Sequence, residues 1–367
     1  VNYGMVDAEG HDYVGGIVGL ISAKLTVTNC TNAGQVNGGN NVGGISGIAN
    51  VEAEIMDCLN TGDVTGKENV GGITGKLSNQ KQKEIVTAPK VEKCYISGVI
   101  AGESNVGTVA GQNLNAANGE TAACIAGCIV LPAAAASGAS GQGAIIGDNA
   151  SDGEMPSVIT NCLWPSSLGE APAGLGTGSA EGESSEAVKN NSAYELDGTL
   201  VTPIAPESGE TIDNLGKAID QVFSAAVPDL LKATATFKNN GYGTAPAAQE
   251  VTMGTKITLP DLQAGSYSLS GWQCGTETYT AHTEVAILRD TTFAAQWKNT
   301  APSSYPINIS GGIANGSILV NPASAEQGSI ITIPVKPNDT YKLETLTAAD
   351  KNAKALTLTN KGGGIYT

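Results

Sequence analysis

The chain has 367 residues, 48 of them glycine, about 13 % against a usual share of roughly 7 %, and only three Trp and three Phe. Its 35 acidic residues outnumber 19 basic ones, with Arg289 the sole arginine, so it lacks the cations to neutralise a nucleic-acid backbone or hold an anionic membrane surface. Two histidines, His11 and His282, remove most imidazole-dependent chemistry. No apolar run approaches the ~20 residues that cross a bilayer, and no signal peptide is visible.

The first half is repetitive. Val14-Gly15-Gly16-Ile17-Val18-Gly19 returns at Val42 and Val70, and in decayed form at Val106 and Gln142, with spacings of 28, 28, 36 and 36 residues. Each unit then carries a segment with a cysteine, and the better units add Gly34-Gln35-Val36, Gly62-Asp63-Val64 or Gly98-Val99-Ile100. β-branched residues alternate with small or polar ones, and no helical period fits. One such unit cannot bury its apolar face alone; stacked coil on coil, strands about 4.8 Å apart, it gains a continuous core. Residues 1–170 therefore predict a β-solenoid of about five coils with three short strands each. Val and Ile stack inward, and right-handed winding is weakly favoured.

Stacking predicts a column of cysteines: Cys30, Cys58, Cys94, then Cys128 or Cys124 (Cys128 is placed in the column), then Cys162. Small apolar thiols packed inward explain it most simply. Neighbouring Cα atoms would stand close enough for disulfides, but parallel Cβ vectors make the dihedral awkward. A metal site is disfavoured, since no His or CxxC pair accompanies the thiols, and the sequence calls for no cofactor. Residues 78–90, with Lys81, Lys83 and Lys90, interrupt the third unit and form the best candidate contact loop.

The Val-Gly-Gly-Ile-x-Gly core, with its Cys-containing strand and Gly-x-Val strand, resembles the GLUG repeat of bacterial surface proteins, adhesins and some surface peptidases. The resemblance covers about 165 residues and weakens in the fourth and fifth units. It implies an extracellular, cell-surface setting. Asn2-Tyr3-Gly4-Met5-Val6 matches the end of a preceding unit, so the expectation is a fragment excised from a longer protein; a bare coil end at Val1 is the alternative.

Residues 171–230 read as a Gly/Ser/Pro-rich linker and then a helix. Ile212, Leu215, Ile219, Val222 and Phe223 share its apolar face, Thr211 is its N-cap and Pro228 lies beyond its end. The expectation is a cap over the open end of the solenoid. Alternating segments from Ala233 to Trp297 predict a small β module. Its Gly271-Trp272 and Ala295-Gln296-Trp297 resemble the Listeria–Bacteroides surface repeat, in a module spanning 231–300. A further five-strand β module is expected over 301–367, cut short at its end. Trp272 and Trp297 read as core anchors rather than sugar platforms, and His11 and His282 as solvated turn residues.

Solenoid lyases generally use a carboxylate cluster with a Lys or Arg base. Here Asp7, Asp12, Asp57, Asp63 and Glu68 share no ladder position, and the HExxH of peptidases carrying the repeat is absent. The sequence therefore predicts an all-β, non-catalytic protein for adhesion or display, with no catalytic, cofactor or metal residues. Its partner would be a host or matrix protein or a glycan, with no nucleic acid and no membrane insertion. The competing readings are a carbohydrate-active enzyme on the solenoid and a passive stalk.

Overall fold

The computed structural model describes residues 1–50, 52–79, 87–115, 122–150, 155–179, 188–205, 209, 211–223, 227–300 and 303–367. The chain divides into two compact units. The first comprises Val1–Asn240, Thr244–Asp261 and Gly271–Ala295, and the second Gly241–Gly243, Leu262–Ser270 and Gln296–Thr367.

The first unit is built on a parallel β-solenoid. Each coil contributes to five sheets, taken in chain order: Val6–Asp7 opens sheet 1, Val14–Gly15 sheet 2, Val18–Ile21 sheet 3, Leu25–Thr28 sheet 4 and Thr31–Asn32 sheet 5. Successive coils pair in register, so Val14, Val42, Val70 and Val106 form one ladder and Val27, Ile55, Val91, Ile125, Ile159 and Val188 another. The middle rungs of both ladders are buried. Like residues thus cover like, which buries an apolar face that no single coil could bury.

Five strands per coil replace the three expected. The Gly-Gly bend divides one segment between sheets 2 and 3, because both glycines press on the neighbouring coil. A Cβ on Gly44 would run into the Gly72 carbonyl and the Asn60 side chain. A corner divides the cysteine segment between sheets 4 and 5. Its residues, Asn29, Asp57, Lys93, Gly127, Asn161 and Asn190, all have φ between 50° and 62°. A left-handed residue turns the chain sharply, which Asn and Gly tolerate best.

The stack also runs further than five coils. Ala173–Gly176, Val188–Lys189 and Ser192–Tyr194 add a sixth strand to sheets 3, 4 and 5, inside the segment expected to be linker. Trp164 fills the interior there, fully buried, with its indole N–H on the Gly169 carbonyl at 2.8 Å.

Helix α1, Leu215–Phe223, does not cap the solenoid end. Its Leu215, Ala218 and Ile219 join a second core with Tyr95, Ile129 and Leu163, the outward residues of sheet 5. The helix therefore lies along the wall. Its start also differs: Ile212–Asn214 is a strand, and the Asn214 side chain rather than Thr211 accepts the Gly216 N–H, at 2.9 Å. Asn is among the best residues for this role.

Most of the expected 231–300 module belongs to the same unit. Lys232–Lys238 pairs antiparallel with Gln249–Thr252 and parallel with Thr291–Asn299. Leu231 and Met253 join the second core beside α1, so this module is no separate domain. Trp272 is its fully buried centre, edge-on to Phe237 at 5.2 Å, with its N–H on the Pro260 carbonyl.

In the second unit Trp297 is half-buried against Tyr242, which packs on Tyr267 with ring centroids 4.2 Å apart. Beyond it, Gly316–Ile318, Ile333–Pro337, Asn360–Gly362 and Ile365–Tyr366 form a four-stranded sheet. Two further strand pairs complete the module, and residues 341–346 form no strand. None of the described residues from Gln296 onward is fully buried.

Candidate functional site

The most regular side-chain array is the thiol column. Cys30, Cys58, Cys94, Cys128 and Cys162 each directly follow a left-handed corner residue, so every thiol enters the solenoid at the same point. Four are fully buried and Cys30, on the first coil, is half-exposed. Each Sγ faces the carbonyl two residues back, at 3.2–3.7 Å. From Cys58 onward each also faces a carbonyl of the preceding coil's sheet 4: Val27, Ile55, Val91 and Ile125 in turn, at 3.6–3.9 Å. Cys124 stands instead in sheet 4, paired with Lys90 and Val158, which settles the choice between it and Cys128.

All seven cysteines are free thiols. Burial, with the adjacent thiols adding to it, pushes Cys94 and Cys162 well above the ordinary thiol range. Burial likewise raises Cys124, to about 11. Reactive thiols need the opposite shift. Hydrogen bonds from the adjacent thiols pull Cys58 and Cys128 the other way, against their burial, but four of the five thiols are sealed from solvent and each faces main-chain carbonyls, so the column packs as small groups of the wall.

Asn191 continues the column, and the sequence reading missed it. Its Oδ1 accepts the Cys162 N–H at 2.9 Å and its Nδ2 donates to Ile159 O at 2.7 Å, the carbonyl that a sixth thiol would face. The signal was the pair Asn190-Asn191, which repeats the corner-then-inward pattern of Asn161-Cys162.

Two asparagine ladders accompany the thiols. Inward-facing Asn2, Asn32 and Asn60 pass amide hydrogen bonds from coil to coil at 2.7 and 2.8 Å, and Asn32 and Asn60 also donate to Gly34 O and Gly62 O. At another corner Asn105 donates to Asn69 and Asn69 to Asn41, at 2.9 and 3.0 Å. Buried amides of this kind are stable only when their hydrogen bonds are made.

The acidic residues are spread out. Asp12 accepts the Asn40 N–H and Asp63 the Val99 N–H, each bonding the backbone of the adjoining coil, while Asp57 stands in the left-handed corner column. Among the described residues no three His, Cys, Asp or Glu side chains converge as metal ligands. His11 is exposed beside the Glu9 carbonyl, and His282 is an exposed turn residue at φ 66°. Of the expected contact loop, Lys81 and Lys83 lie outside the described residues. Ser78 instead extends sheet 3 opposite Leu114, and Lys90 is half-buried in sheet 4. No helix among the described residues is long and apolar enough to cross a membrane.

The fold and its interior define a repeat protein: a parallel β-solenoid whose wall carries thiol and amide ladders. Neither the protein-family models nor the curated proteins give a match. Among solved structures, a Bacteroides ovatus protein described as a "putative immunoglobulin A1 protease" aligns over 60 % of this chain and 69 % of its own, at 18 % identity and a TM-score of 0.31.

Proposed function

We propose that this chain is a non-catalytic adhesion or display protein of the bacterial cell surface, of the GLUG-repeat kind, whose solenoid is a stiff scaffold presenting an outer wall to a host or matrix protein or a glycan. The observation that carries the reading is how the interior is used. Its thiol column and asparagine ladders are engaged in coil-to-coil bonds, thiols on carbonyls and asparagines on one another. Recognition is left to the outward faces. The Gly-Gly and cysteine segments, stacked in register, support the resemblance to the GLUG repeat.

The test is a screen of the purified 367-residue protein against immobilised glycans, polysaccharides and matrix proteins, with product analysis on the same samples. Saturable binding without new chain ends supports the reading. Cleavage of any polysaccharide or peptide bond overturns it in favour of an enzyme, and binding to none of them leaves the protein a stalk.

A further inference from the structure

The inward ladder of sheet 3 changes character along the stack. Ile21, Ala49 and Leu77 are apolar, and the next two rungs are Asn113 and Asn149. Both amides are essentially inaccessible to solvent, and both tie down the segment 155–157. Asn113 Nδ2 donates to Met155 O at 2.9 Å. Asn149 Oδ1 accepts the Ser157 N–H at 2.7 Å, while its Nδ2 donates to Thr177 O at 3.0 Å and Ser157 O at 3.3 Å.

Asn149 is thus satisfied on both sides, but two atoms of the same cluster are not. Asn113 Oδ1 and the Ser157 hydroxyl are buried without a hydrogen-bond partner among the described residues. Turning the Asn113 amide over gives no relief, because Oδ1 would then face the Met155 carbonyl, acceptor against acceptor. The two atoms are complementary, since a hydroxyl donates and a carbonyl oxygen only accepts, yet they do not bond each other.

We propose that this cluster is a binding site for a structural water inside the solenoid wall, which accepts the Ser157 O–H and donates to Asn113 Oδ1. Water fits the chemistry better than a cation. Asn113, Asn149, Ser157 and the Met155 carbonyl carry no charge, and a buried ion among them would be uncompensated. Sites of this kind are the usual answer to buried polar groups that the chain leaves unpaired. The water would fasten the segment 155–157 to the wall at the rung where the ladder turns from apolar to polar.

Two measurements test this. A high-resolution crystal structure of the full chain is expected to show an ordered water within about 3.2 Å of both atoms. A direct Ser157–Asn113 bond, or a dry site, overturns the proposal. A double-mutant cycle on thermal stability uses Ser157→Ala and Asn113→Leu, the latter repeating the Leu77 rung. Ser157→Ala is expected to lower the melting temperature in the native background and leave it unchanged beside Asn113→Leu. Equal effects in both backgrounds would mean that no water couples the two residues. If Asn113→Leu does not fold, Asn113→Ala serves in the same cycle.

Discussion

The solenoid and the last seventy-odd residues are both β-rich, yet they bury their side chains very differently. Between Val36 and Ile159 nearly every inward position is sealed, whereas from Gln296 onward no described residue is fully buried, and Leu319 and Ile330 are 63 % and 81 % exposed. The difference lies in repetition rather than composition. Each solenoid strand covers an equivalent strand of the coil before it, so burial grows with every added rung. The described strands of the terminal module are short and paired in small sheets, and apolar side chains such as Leu319 and Ile330 stay at the surface.

The sharpest way to break this comparison is to place the same change in both regions. Gly44→Val drives side-chain atoms into the Gly72 carbonyl and Asn60, so it is expected to cost about 4 kcal/mol or more and to abolish cooperative melting. Gly311→Val, where a Cβ meets open space, should shift the midpoint by no more than about 0.5 kcal/mol in a denaturant titration. Next in size, Ile55→Ala opens a cavity in the sealed ladder and should cost about 2–5 kcal/mol, while Ile330→Ala should be nearly silent. Equal losses at the two sites would contradict the contrast drawn above.

Asn60→Ala removes the acceptor for Asn32 and the donor to Gly62 O, and should cost about 1–3 kcal/mol in urea unfolding. The smallest effect is the pH dependence from the thiols. Cys94 and Cys162 have folded pKa values raised above the ordinary 9.0. Their contribution is therefore fully present below about pH 9 and declines as pH rises beyond it, because the unfolded thiols ionise first. Cys58 and Cys128, lowered by hydrogen bonds from their neighbours, contribute with the opposite sign, so replacing Cys94 and Cys162 by Ala should remove the decline above about pH 9. A thiol reagent should in turn modify Cys30 well ahead of Cys94, Cys128 and Cys162.

How far the sequence was legible follows from the same physics. The 28- and 36-residue spacings of the Val-Gly-Gly segments placed the ladders correctly, because register forces like residues over like. The sixth rung was hidden because Asn191 stands where a thiol would, and Ala173–Gly176 carries no Val-Gly-Gly segment. The lateral seat of α1 was legible in principle. Leu59, Tyr95, Ile129 and Leu163, each one residue past a cysteine, put large apolar groups on the outside of sheet 5. That is a partner surface on the wall, not at the end. The buried Asn113–Ser157 cluster left no pattern in the sequence, since it depends on how two unequal coils meet.

Anomalous diffraction at a long wavelength, locating the sulfur atoms directly, tests in-register stacking most simply. The account predicts that the sulfurs of Cys30, Cys58, Cys94, Cys128 and Cys162 lie in one line, successive atoms about 4.8 Å apart, with Cys124 and Cys274 off it. Sulfur positions scattered through the molecule, or a line that includes Cys124 in place of Cys128, would contradict it.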